Sequence, residues 1–270
     1  MKWQRGQSLV QIDIPRKENG LPLLYKSDIE EIAELCLGDF NSKILEEPMP
    51  TPIEQFLESY LHLELDYANI TPDGSILGLT TFDNGFLTVY DAENNGDKDI
   101  QVKRGTVIID NSLNLDEREG RYRFTCGHEV GHWICHRDMF KSSENQCNIF
   151  DIINGKKAKS IKCLKRNFEN YSFKRTFKTD NDWMEWQANS MSSCLLMPKK
   201  TFKIAADNIL KQAGIDDNYI ILGQDFETDE FAHDMPREIS KVFNVSMQAA
   251  SIRLKQLKII REQTAQIAYC

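Results

Sequence analysis

Residues 123–133 read Arg123-Phe124-Thr125-Cys126-Gly127-His128-Glu129-Val130-Gly131-His132-Trp133, and the spacing of three of them decides how the rest of the chain is read. On a helix His128 and His132 lie one turn apart on the same face, so both imidazoles reach one metal ion. Glu129 is turned about 100° from His128, which sets its carboxylate beside an open coordination position instead of on the metal. A general base belongs there. Zinc held by three protein ligands lowers the pKa of its water to roughly 7, and a neighbouring carboxylate can take the proton as that water attacks a carbonyl. Gly131 costs the helix about 1 kcal/mol against Ala, so close approach of a neighbouring backbone is expected there. The alternative reading is a helix carrying two solvated or hydrogen-bonded histidines.

Two histidines supply two ligands, and a third must come from elsewhere. His136 lies about 12 Å along a straight helix from His128, beyond comfortable tetrahedral reach of one ion, and reads as a helix-end cation or a hydrogen-bonded core histidine. The better candidate is Glu185, in Asp182-Trp183-Met184-Glu185-Trp186-Gln187-Ala188-Asn189-Ser190-Met191. That helix is apolar on one face through Ala188, Met191, Leu195 and Leu196, and Glu185 shares a face with Asn189 near that core. A buried carboxylate is usually paired or bound to metal. Taken alone, Glu185 would read as a solvated helix residue; the missing ligand reverses that preference.

Outward from these two helices the elements change character. Apolar spacing predicts helices over Ser27–Leu37, a short stretch after Pro52 with Thr51 as cap, Tyr122–His136, Asp182–Leu196 and Thr201–Gln212. Period-two patterning predicts strands over His62–Tyr67, Ile76–Phe82, Phe86–Tyr90 and Thr106–Ile109, with Asp83-Asn84-Gly85 as a hairpin turn between the second and third. The result is an α+β chain with a small mixed or antiparallel sheet and a helical C-terminal part. Arg137 to Asp182 carries eleven Lys or Arg against six Asp or Glu, and Ile215 to Asp234 carries seven acidic residues and no basic one. Loops that long are uncommon in a compact domain.

The chain of 270 residues has 41% apolar, 10% aromatic and 27% charged residues, ordinary globular usage that excludes a collagen-like, coiled-coil or disordered protein. A net charge of −8 leaves no overall basic footprint for nucleic acid or anionic lipid. No run of about 18 apolar residues and no apolar leader is present, so the expectation is a soluble, cytoplasmic protein without a membrane partner. The 7 cysteines are widely spaced with no Cys-x-x-Cys, which argues for buried reduced thiols over disulfides or a cysteine zinc knuckle.

Three stretches together resemble the ImmA/IrrE family of zinc-dependent metallopeptidases: Arg123-Phe124-Thr125 leading into His128-Glu129-Val130-Gly131-His132; Glu185-x-x-Ala188-Asn189 running into Leu195-Leu196-Met197-Pro198; and Phe243-Asn244-Val245-Ser246 through Arg253-Leu254-x-x-Leu257. The zinc-helix motif alone belongs to many peptidases, and its combination with the Leu-Leu-Met-Pro segment is far more specific. The resemblance implies a zincin-like fold, zinc held by His128, His132 and Glu185, Glu129 as the catalytic base, and Asn189 orienting a ligand. It also implies cleavage of a peptide bond in a regulatory protein, a helix-turn-helix repressor, by a cytoplasmic enzyme that releases mobile-element or stress-response genes. The chain departs from the family pattern at Gln187, where an acidic residue is usual, and in the length and basicity of the connection after His132.

On this reading residues 1–48 form an N-terminal helical segment, 49–198 the catalytic core with a basic insertion at 137–182, and 199–270 a helical subdomain with a helix-turn-helix-like end. The last two helices, Pro236–Phe243 and Met247–Leu257, would share a core of Ile239, Val242, Val245, Ala250, Leu254 and Leu257. The second begins Met247-Gln248-Ala249-Ala250, poor in base-reading side chains, so packing is favoured over direct nucleic-acid binding. In the insertion, Tyr171, Phe173 and Phe177 are candidate substrate-binding residues on a basic edge strand. The competing functional reading is a catalytically idle regulator that binds a repressor or DNA on the same scaffold.

Overall fold

A computed structural model of the chain describes residues 2–5, 8–11, 14–114, 116–140, 155–164 and 177–263. It is a mixed α+β structure whose chain divides into two compact units, residues 1–32 with 52–192 and residues 33–51 with 193–270. Among the described residues no helix is long and apolar enough to cross a membrane.

The first unit opens with the ribbon β1 (Lys2–Arg5) and β2 (Ser8–Gln11) and the start of α1 (Lys26–Asn41). The short helix α2 (Ile53–Gln55) widens at once into a π turn over Phe56–Tyr60. The strands β3 (Glu64–Ala68), β4 (Ile76–Thr81), β5 (Gly85–Asp91), β6 (Gly96–Val102) and β7 (Thr106–Asp110) follow, then the helix α3 (Glu119–His136). After it come β8 (Ser160–Leu164) and α4 (Asp180–Leu196), whose last turn passes into the second unit.

The sheet order is β3-β7-β4-β8, with β3 parallel to β7 and both β7 and β8 antiparallel to β4. Every position of β4 and β7 is buried, so both faces of these central strands are covered. One cluster of Ile70, Ile76, Leu79, Leu87, Val102 and Ile108 fills a core there, and α3 packs across β4, β7 and β8. In the register Gly78 of β4 lies opposite Cys163 of β8. Side chains alternate along a strand, so Gly78 and Thr80 share a face, and both meet Glu129 of α3.

Three expectations need correction. Asp83-Asn84-Gly85 is not a hairpin turn: β4 pairs with β7 and β8, while β5 pairs with β6, so the turn joins two sheets. The side chains that would tighten a hairpin are used elsewhere, Asp83 Oδ1 accepting from Lys159 N and Asn84 Oδ1 from Arg104 N. The segment 137–182 is more than an insertion loop, because its Lys156–Ala158 stretch bonds to Phe86 and its Ser160–Leu164 stretch pairs with β4. Thr51 is no helix cap; its hydroxyl donates to Leu195 O.

The second unit holds α5 (Lys199–Gln212), β9 (Ile220–Leu222), α6 (Phe226–Phe243), α7 (Met247–Gln256) and β10 (Ile260–Glu262), with β9 and β10 in parallel. The helix α6 starts ten residues before Pro236, capped by Asp225, which accepts from Thr228 N; the acidic stretch read as a loop contains β9 and the first turns of this helix. Pro236 sits buried inside it. Asn244, in the left-handed conformation at φ 50°, ends α6, and Ser246 caps α7 by accepting from Ala249 N. Ile239, Phe243, Val245, Ala250 and Leu254 are buried, whereas Val242 and Leu257 are half-buried. Arg253 is wholly buried and donates twice to Met197 O, at 3.1 and 2.9 Å.

Candidate metal centre

The centre lies inside the first unit, and two glycines make it. A Cβ added at Gly131 would lie 2.8 Å from Ala188 O and 2.9 Å from Ala188 Cα, and one at Gly127 would lie 2.6 Å from Ser192 Oγ. Gly127 and Gly131 are one turn apart on α3, as Ala188 and Ser192 are on α4, so two stripes of small residues let the helices touch backbone to side chain. The close approach expected at Gly131 is therefore found. It brings Glu185, three residues before Ala188, up to the two imidazoles.

His128, Glu129 and His132 have no exposed surface, and Glu185 is 5% exposed. His128 Nε2 and His132 Nε2 stand 2.9 Å apart; Glu185 Oε2 is 3.5 Å from the first and Oε1 3.4 Å from the second. Donors about 2.1 Å from a tetrahedral ion are about 3.4 Å from one another, so both carboxylate–imidazole spacings match ligands of one ion, while the imidazole pair at 2.9 Å would open by about 0.5 Å to hold it. The buried trio His128, His132 and Glu185 can hold a metal ion.

Glu129 Oε2 accepts from Thr80 Oγ1 at 2.7 Å, while its Oε1 is buried with no hydrogen-bond partner among the described residues. Burial raises its carboxyl well above the usual range, the Glu185 charge adds to that, and the Thr80 hydrogen bond opposes it. Gly78 leaves room for this side chain: a Cβ there would lie 2.8 Å from Glu129 Oε1.

Behind the ligands His128 Nδ1 meets Asn189 Oδ1 at 3.0 Å. His132 Nδ1 meets His136 Nδ1 at 3.1 Å, and His136 Nε2 meets Gln187 Oε1 at 2.8 Å. Burial pushes His128, His132 and His136 down to about 3, so all three are neutral at physiological pH. Of the two readings open for His136, the structure selects the hydrogen-bonded core histidine over the helix-end cation.

Sequence reasoning missed Thr80, Gly78 and Cys163. The signal available was a Gly-x-Thr alternation inside an otherwise apolar strand, which marks close approach on one face. Cys163 is buried and forms a second grouping with His128 and Glu129 of the kind that can hold a metal. Burial, then Glu129 and Glu185, raise its thiol well above the usual value. Cys36, Cys126, Cys135 and Cys194 are likewise buried. Phe177, 39% exposed, packs edge-on against Trp183 at 4.8 Å and Trp186 at 5.6 Å, beside Glu185 in sequence. Tyr171 and Phe173 lie outside the described residues.

Set against known proteins, the chain matches no family model and no curated protein.

Proposed function

We propose that the chain is a zinc-dependent endopeptidase of zincin-like architecture and ImmA/IrrE type, and that it cuts a peptide bond in a repressor-type regulatory protein. The observation that carries this reading is the convergence of two imidazole nitrogens and a carboxylate, all buried, beside a second carboxylate whose Oε1 has no hydrogen-bond partner among the described residues. The donor set fits the ion: two nitrogens and one carboxylate are a common catalytic zinc set that leaves a position open. Zinc held there supplies Lewis-acid polarisation of a carbonyl and an acidified water.

The protein's own groups do the rest. Glu129 Oε1 would accept the proton of the attacking water and return it to the leaving amine, and burial makes this carboxylate a stronger base than an exposed one. Thr80 holds the other oxygen in place. Phe177, Trp183 and Trp186 offer an aromatic surface next to Glu185 for substrate side chains. The test is incubation of wild type and Glu129→Gln with helix-turn-helix repressors and mapping of new peptide termini. Cleavage by wild type alone supports the reading; equal cleavage by both removes Glu129 from its role.

One observation favours a second reading, a regulator without turnover. Cys163 lies close enough to share an ion with His128, and a thiolate there would close the open position, as in structural zinc sites. Cys163→Ala would then release peptidase activity absent from the wild type.

A further inference from the structure

The contacts behind His132 form a chain whose polarity is fixed from one end. Pro22 O can only accept, so Gln187 Nε2, 2.7 Å away, donates to it. That orientation turns Gln187 Oε1, another pure acceptor, toward His136 Nε2 at 2.8 Å, which must then carry the proton. In a neutral imidazole the other nitrogen is left as an acceptor. His136 Nδ1 therefore accepts a hydrogen bond from His132 Nδ1–H, and the lone pair of the neutral His132 is left on Nε2, the atom nearest His128 Nε2 and the Glu185 carboxylate.

We infer that Gln187 and His136 are positioning residues that lock His132 in its Nδ1–H tautomer, with the backbone carbonyl of Pro22 as the anchor. Pro22 O also accepts from Trp183 Nε1 at 3.3 Å, and the backbone bridge between Pro22 and Arg16, with the Arg16–Asp138 ion pair at 3.0 Å, holds that turn in place. The N-terminal segment thus reaches the centre through three hydrogen bonds and presets one of its ligands. This deepens the proposed function, since it rests on His132 serving as a metal ligand.

The test uses the full chain, first without metal. Long-range proton–nitrogen correlation of the imidazoles reports the tautomer of His132 directly, whatever the catalytic activity. The wild type should show Nδ1–H at His132. Gln187→Leu should populate Nε2–H and weaken cobalt(II) binding, read by chelator competition, about 10- to 100-fold. Gln187→Glu keeps an acceptor for His136 but loses the donor to Pro22 O, so His132 should stay Nδ1–H with an affinity between those of wild type and Gln187→Leu. An Nε2–H tautomer at His132 in the wild type overturns the inference, as do unchanged tautomer and affinity in Gln187→Leu. The wild-type tautomer needs no variant to fold, and both readouts stay legible if no peptide is ever cut.

Discussion

Burial of the Glu129 carboxyl opposes its ionisation. A carboxyl with its pKa raised by burial gives folding a contribution that is complete below its ordinary value of 4.5 and is lost as pH rises through the folded value. At neutral pH it is a burden on the fold. Glu129→Gln should therefore stabilise the metal-free protein by on the order of 1 kcal/mol, read as a higher thermal midpoint, and it should retain added metal and lose turnover by several orders of magnitude. A lower midpoint would contradict the burial argument. The three buried histidines act with the opposite sign. Each has a folded pKa near 3 against an ordinary 6.5, so its proton is taken up only on unfolding. Stability of the metal-free protein should be full above about pH 6.5 and fall on acidification toward pH 3, by about 1.4 kcal/mol per pH unit for each imidazole. Denaturant titrations across pH 4 to 7 measure that slope; a flat profile would mean that the imidazoles are accessible to solvent in the fold.

At the scale of elements, the crossing of α3 and α4 depends on absent side chains. Gly131→Ala gains about 1 kcal/mol of helix propensity but places a methyl 2.8 Å from a backbone oxygen that cannot swing aside. Overpacking of this kind costs about 1–3 kcal/mol, so the net effect should be destabilising, with metal affinity falling because Glu185 is pushed from the imidazoles. Chemical denaturation with parallel metal titration checks both; a stabilised variant with unchanged affinity would sink the argument. The two crossing helices were legible because their apolar residues recur at 3.6-residue spacing; the histidine pair was read from its one-turn separation, and Glu185 from the need for a third ligand beside it. The strands were less so. Strand β6 carries Asp97, Lys98 and Asp99 on a mostly exposed ribbon, and β8 lies in a lysine-rich stretch, so neither shows the alternation that marks a half-buried strand. Asp83-Asn84-Gly85 has hairpin chemistry, yet local turn propensity says nothing of which strand pairs with which. The contacts of Thr80 and Gln187 join residues 49 and 165 positions apart, which no local pattern encodes.

For the molecule as a whole, charge argues against nucleic acid as a partner. The net charge is −8, and one of the six Lys or Arg in residues 236–262, Arg253, is spent on Met197 O inside the second unit. Fluorescence anisotropy with duplex DNA at 150 mM salt should show no binding below about 10⁻⁴ M; tight, salt-sensitive binding would favour the regulator reading instead. The central claim is that one divalent cation is held jointly by α3 and α4. Anomalous diffraction at the zinc edge, from crystals grown with stoichiometric zinc, tests it most directly. The account predicts one peak per chain, bounded by His128 Nε2, His132 Nε2 and the Glu185 carboxylate. A peak elsewhere, or none with Glu185 turned away from both imidazoles, would contradict it.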